Sequence, residues 1–167
     1  MTATSGDPFR VVFVCTGNIC RSPMAEASGL NARAQGALGH RVEVDSAGLG
    51  NWHAGQPPDR RAIKCAAGHG VDISGLKARQ ITDADYTAFD VLLCADADVL
   101  YTVRAHAPAG ATAHTELLLD WSGLGANAQI PDPYTLNAAA FEHAWDLVDS
   151  AAQAIVAKRF AASAAPT

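Results

Sequence analysis

Fifteen consecutive residues set the frame for the whole chain. Phe9–Val14 (FRVVFV) is aromatic and β-branched with no turn signal inside it, and reads as a buried strand. It runs into Cys15, Thr16, Gly17, Asn18, Ile19, Cys20 and Arg21, and Ser22-Pro23 then opens a helical stretch to about Leu38. Ser22 suits a helix cap and Pro23 a first helical position. A buried strand that turns at once into a helix is the opening unit of a parallel sheet. The rest of the chain repeats the alternation. Arg41–Asp45, Asp90–Ala95 and Ala113–Leu119 read as further strands. Asp59–His69, closed by Gly70, and Ala97–Ala107 read as helices. Thr82 and Asp85 resemble a capping box with Asp in place of Glu. Leu124–Tyr134 is loop. Asn137 caps a last helix to about Phe160, with Phe141, Ala144, Trp145, Val148, Ala152 and Ile155 on its apolar face.

This order predicts an α/β single domain, a four-stranded parallel sheet flanked by helices on both faces. Crossovers are right-handed. The domain spans 9–160, between a flexible segment 1–8 and a disordered tail 161–167. In such folds ligands sit beyond the carboxyl ends of the strands, which directs attention to the loop after the first strand.

The 167 residues are 49% hydrophobic, enough for a sizeable core, and 17% charged. The longest apolar runs, such as Val11–Cys15 and Val91–Ala95, are strand-sized and too short to cross a bilayer. Twelve Lys and Arg against seventeen Asp and Glu leave a formal charge of −5, which argues against a nucleic-acid partner. Met1–Pro8 lacks the apolar stretch of an export signal. The four cysteines, at 15, 20, 65 and 94, are too few and scattered for a disulfide scaffold. The expectation is a cytoplasmic protein without a membrane partner.

Each part of the loop has a physical job. Its N–H groups can converge on an anion, and the helix N-terminus adds partial positive charge. Gly17 permits a tight backbone. Arg21 offers a fork of donors that matches two phosphate oxygens. The same field favours a Cys15 thiolate, a nucleophile. Ser22 could donate to that sulfur, cap the helix, or do both. A lone Cys-x5-Arg would read as a core cysteine and a surface arginine. Its place at a strand–helix junction, with Gly17, Ser22 and Pro23, favours a phosphate site.

Val14 to Ala27 (VCTGNICRSPMAEA) resembles the signature of the low-molecular-weight protein tyrosine phosphatases. The likeness continues through Asp45–Gly48, Trp52-His53, Pro57–Arg60, His69-Gly70, Ala78–Thr82, Phe89-Asp90, Leu93–Asp96 and Asp132–Tyr134, over roughly residues 9–160. It implies hydrolysis of phosphotyrosine in proteins, and of small aryl phosphates, with inorganic phosphate as product. Cys15 would be the nucleophile, forming a cysteinyl-phosphate. Arg21 and the loop residues Thr16, Gly17, Asn18, Ile19, Cys20 and Ser22 would hold the phosphate. Asp132 would protonate the leaving phenol and then activate water. Trp52 and Tyr134 would wall the cleft. Asn18 and His69 would support the loop through hydrogen bonds, while His69 could also, or only, complement the dipole at the C-terminus of its helix. Cys20 would pair reversibly with Cys15 under oxidation. No metal or cofactor is implied, and a monomer is expected.

Two positions depart from the family pattern: Ala95 stands where many members have Met, and Thr135 where members often have a second Tyr. The nearest rival is a thiol-dependent arsenate reductase on the same fold. Cys94 occupies the first position of its cysteine relay, but no cysteine follows it. A phosphate-binding module without turnover would be expected to lack Cys15 or Asp132, and both are present.

Overall fold

A computed structural model describes residues 8–35 and 42–164. Strand β1 (Phe9–Cys15) lies inside the sheet, with β2 (Val42–Gly48) on one side and β3 (Val91–Cys94) on the other; β4 (His114–Leu117) pairs with β3. All pairs are parallel, in the order β2-β1-β3-β4. Val11 and Phe13 point into one core and Val12 and Val14 into the other, the period-2 alternation of a strand covered on both faces.

Helices α1 (Arg21–Gln35), α2 (Arg60–Gly68) and α6 (Ala138–Ala164), with the short α5 (Leu118–Trp121), cover the first face. On the other face, α4 (Ala97–Ala105) and α3 (Asp85–Ala88) supply Val99, Val103 and Tyr86. The expected apolar stripe of α6 is buried at all six positions. Burying such large apolar side chains is worth about 1.5–3 kcal/mol each. No helix among the described residues is long and apolar enough to cross a membrane.

The chain leaves β1 for one neighbour and returns at β3 on the other side, so the strand order reverses between β1 and β3. A crevice opens at such a reversal, beyond the carboxyl ends of the strands.

Several boundaries differ from the sequence expectation. Arg21 is already helical, which leaves Pro23 within the first turn, where its missing N–H is harmless. β2 continues through Gly48 because its last residues pair with Phe13, Val14 and Cys15. Asp59 caps α2 rather than joining it, accepting from Arg61 N at 2.8 Å. Asp85 accepts the Thr82 N–H at 2.8 Å, half of the expected box, but the helix that follows is one turn long. β4 stops at Leu117, and Leu118-Leu119 turn into α5. α6 runs on to Ala164, taking in the first four residues of the expected tail. Residues 1–7, 36–41 and 165–167, on which most of the expected N-terminal segment, the last residues expected for the first helix and the end of the expected tail fall, lie outside the described residues.

Candidate active site

Residues 15–22 fill the crevice. The loop leaves β1 at Cys15 and enters α1 at Arg21. Asn18 takes a left-handed backbone, φ 58°, the kind of kink that turns successive N–H groups inward as an anion nest. The N–H groups of Gly17, Asn18, Ile19 and Cys20 meet no protein acceptor. Gly48, at the end of β2, backs directly onto this loop. A Cβ there would stand 2.9 Å from the Gly17 carbonyl carbon and 3.0 Å from the Asn18 nitrogen.

One amide fixes the loop's polar interior. Asn18 Oδ1 accepts the Arg79 N–H at 2.9 Å, and a main-chain N–H can only donate, so the amide's orientation is determined. Asn18 Nδ2 must then donate, and it reaches Ser22 Oγ at 2.8 Å and Ser46 Oγ at 2.9 Å. Ser46 passes its own proton to Glu26 Oε1 at 2.6 Å. Ser22 Oγ, already an acceptor, keeps its proton for Cys15 Sγ at 3.0 Å, with the Ala47 carbonyl a longer alternative at 3.5 Å. The chain of donors thus ends on the sulfur. Of the roles open to Ser22, the contact with sulfur is the one observed.

Arg21 is 2% exposed. Its Nη1 donates to Asp96 Oδ2 at 2.6 Å and to the Ile130 carbonyl at 2.8 Å, and its Nη2 lies 3.4 Å from Thr16 Oγ1. Burial works against its charge, but the Cys15 sulfur and the Asp96 carboxylate outweigh that, and the guanidinium sits above its ordinary value. Burial also pushes the Cys20 thiol up, and the neighbouring Cys15 adds to the effect.

Asp132 stands on the loop between α5 and α6, with Oδ2 3.8 Å from Arg21 Nη2 and Oδ1 accepting the Tyr134 N–H at 3.1 Å. This loop is held at both ends. Upstream, Ile130 donates its N–H to the Ala95 carbonyl at 2.8 Å and gives its own carbonyl to Arg21. Downstream, Arg61 of α2 donates to the carbonyls of Tyr134 at 2.8 Å and Leu136 at 3.3 Å, while Asp59 orients its guanidinium at 2.9 Å. Arg61 also lies 5.5 Å from the Tyr134 ring centroid.

A cleft of about 160 Å³ is lined by Cys15, Thr16, Gly17, Ile19, Cys20 and Arg21 at its base and by Trp52, His53, Asp132 and Tyr134 around its mouth. Trp52 and Tyr134 are 64% and 46% exposed, rare for large aromatics in a core and suited to gripping a ring. The indole of Trp52 lies over Gly50, where any Cβ would collide with it.

Nine of the expected site residues line this one cleft, and Asn18 and Ser22 brace its floor. His69 does not join them. It lies at the end of α2, its Nε2 2.7 Å from Glu142 Oε2 and its ring stacked on Trp145. The support expected of it comes instead from Ser46, Arg79 and Glu26. His53, which the sequence reads as solvated or locally bonded, lies 3.2 Å from Gln56 Oε1 and also lines the cleft. Asp96, Arg61 and Gly48 had no role assigned. Gly48 and Asp96 fall within segments that carry the resemblance and Arg61 directly follows one, but nothing local in the sequence tells which contacts they make.

The family model described as "Low molecular weight phosphotyrosine protein phosphatase" matches residues 10–163. A Streptomyces coelicolor low molecular weight protein-tyrosine-phosphatase is 40% identical over 153 residues, covering 89% of this chain and 92% of that one. The crystal structure of YfkJ from Bacillus subtilis matches with a TM-score of 0.83 at 35% identity, over 92% of this chain and 96% of that chain. Vibrio vulnificus Wzb, solved in complex with benzylphosphonate, matches with a TM-score of 0.77 at 32% identity, over 90% and 98%.

Proposed function

Since the chain belongs to the low molecular weight phosphotyrosine protein phosphatases, a family of hydrolases, we propose that it cleaves phosphotyrosine through a cysteinyl-phosphate, with Asp132 as general acid. The observation that carries this is the convergence of the Cys15 sulfur, the Arg21 guanidinium and the Asp132 carboxylate on one cleft with an unpartnered row of backbone N–H groups.

In the first step the Cys15 thiolate attacks phosphorus in line. The phosphorus–oxygen bond to the aryl group breaks as Asp132 delivers its proton to the departing oxygen. The loop amides and Arg21 bear the charge on the three equatorial oxygens. Water then attacks the phosphocysteine, Asp132 takes its proton, and inorganic phosphate leaves with the thiolate restored.

Ile19, Trp52 and Tyr134 favour an aromatic leaving group, and the Wzb neighbour holds benzylphosphonate, a benzyl group with a phosphate-like head. The arsenate-reductase alternative needs a thiol relay from Cys94, which is fully buried in β3 with no later cysteine to receive it. Four unpaired cysteines suit a reducing compartment, and phosphotyrosine proteins of the cytoplasm are the substrates proposed.

The test is turnover of an aryl phosphate without added metal, comparing the wild type with Cys15→Ser. The variant should bind phosphate and release no phenol, and acid quenching of the wild type in mid-turnover should trap phosphate on Cys15. Unchanged turnover in Cys15→Ser overturns the mechanism. Arsenate-dependent oxidation of a thiol donor, in place of phosphate release, would support the reductase.

A further inference from the structure

Helices α2 and α6 meet behind the loop that carries Asp132, and three side chains with metal-binding chemistry converge there. Cys65 lies on α2 and His69 caps its end. Their spacing of four puts both on one face. Glu142, near the start of α6, sits between them. Its Oε2 is 2.7 Å from His69 Nε2, and its Oε1 is 3.4 Å from Cys65 Sγ. The donor atoms of all three lie within 4.8 Å of one another, and no other such trio of His, Cys, Asp and Glu occurs among the described residues. We propose that Cys65, His69 and Glu142 form a binding site for a divalent metal ion, with zinc as the preferred ion.

The donor set argues for zinc. Thiolate and imidazole are soft or borderline ligands, which magnesium and calcium avoid and zinc accepts. Three protein ligands with water in the fourth position is a familiar zinc arrangement. Ligand distances of about 2.0–2.3 Å imply donor separations of roughly 3.3–3.7 Å around a tetrahedral ion. The Cys65–Glu142 separation already falls there, and the His69–Glu142 contact needs to open by less than an ångström or so. Small rotations of two exposed side chains suffice, because His69 and Glu142 are 35% and 52% exposed. Cys65 is buried beneath them, so the thiol forms the floor and the mouth is open to solvent. Stacking on Trp145, 4.9 Å between centroids and 11° between planes, already fixes the plane of the imidazole.

Binding exchanges three contacts, those of the Cys65 thiol with the Phe141 carbonyl at 3.6 Å and Glu142 and that of His69 with Glu142, for three coordination bonds. The hydrated ion sheds water, the Cys65 thiol releases its proton to the buffer, and His69 takes the tautomer with its proton on Nδ1, so that Nε2, which now faces Glu142, offers its lone pair to the ion. No electrons move. The ion would tie α2, which holds the Tyr134 and Leu136 carbonyls through Arg61, to the N-terminal part of α6.

The test uses the full chain with Cys15→Ser and Cys20→Ser, which removes the cleft thiols as competing ligands, and titrates it with cobalt(II). A thiolate-to-cobalt charge-transfer band should appear, vanish when zinc is added, and be lost on adding Cys65→Ser. Glu142→Gln should weaken binding by at least the about 10–100-fold that even a supporting partner is worth. If Cys65→Ser fails to fold, Glu142→Gln, an exposed change checked by circular dichroism, still decides. Absence of the band, its survival in Cys65→Ser, or unaltered affinity in Glu142→Gln overturns the site. Turnover is not read, so either result leaves the phosphatase reading untouched.

Discussion

The Arg21 guanidinium and the Asp96 carboxylate meet at 2.6 Å, and the other oxygen of Asp96 caps α4 by accepting the Val99 N–H at 2.8 Å. One carboxylate therefore orients the arginine of the phosphate loop and starts a helix on the opposite face of the sheet. Asp96→Asn keeps a capping oxygen and removes the charge opposite a buried guanidinium. It is expected to destabilise the fold by about 1.5–3 kcal/mol, the usual worth of a hydrogen bond to a charged group. It should lower kcat more than it raises KM, because the misaligned Arg21 serves mainly the transition state. Denaturant melts and steady-state kinetics check both. A full-rate, fully stable variant would refute the orienting role.

Asp132→Asn keeps the hydrogen bond to the Tyr134 N–H but cannot supply a proton. The fall in kcat should be roughly 10²–10⁴ for phenyl phosphate, the usual value of general acid catalysis. It should be much smaller for p-nitrophenyl phosphate, whose leaving group needs little help. Equal losses on both substrates would assign Asp132 a binding role instead.

Gly48→Ala places a methyl against the backbone of Gly17 and Asn18, which cannot rotate aside. Overpacking of this kind costs about 1–3 kcal/mol, and here the displaced atoms belong to the phosphate loop. Phosphate affinity, measured by its protection against thermal unfolding, should fall along with stability. Gly75→Ala, where the added methyl meets nothing, is the control and should change neither.

Burial pushes the Glu26 carboxyl above its ordinary 4.5, more than the Ser46 hydrogen bond pulls it down. The sign follows from linkage. The folded chain holds this proton where the unfolded chain has released it, so stability falls as pH rises from the unfolded value through the folded one. Glu26→Gln keeps an acceptor for Ser46 without the charge. Its melting temperature relative to wild type should be higher at pH 7 than at pH 4. A gap that stays constant or reverses between those pH values would remove Glu26 as the source.

The phosphate loop was legible because it is contiguous: residues 15–22 carry the nucleophile, the nest and the arginine in one stretch. What supports it was not, since Ser46, Gly48 and Asp96 approach only through the parallel register that sets Cys15 beside Gly48 and Val14 beside Cys94. The α5 turn was hidden for another reason. Leu117-Leu118-Leu119 is an apolar run too short for periodicity to separate strand from helix. The place of His69 at a helix C-terminus was legible, but not its partner, because nothing local to a helix end tells which neighbour the side chain will meet. Here the neighbour is α6, seventy-three residues on.

The carbonyl of Ile130 has a consequence of its own. Arg21 reaches it across 109 positions of chain, and the acid proposed for the reaction follows two residues later. A ribosome would have to deliver four-fifths of the sequence before the arginine met all its partners. Turnover thus serves as a gauge of completed folding: a nicked, truncated or half-folded chain can carry the whole signature and still be silent.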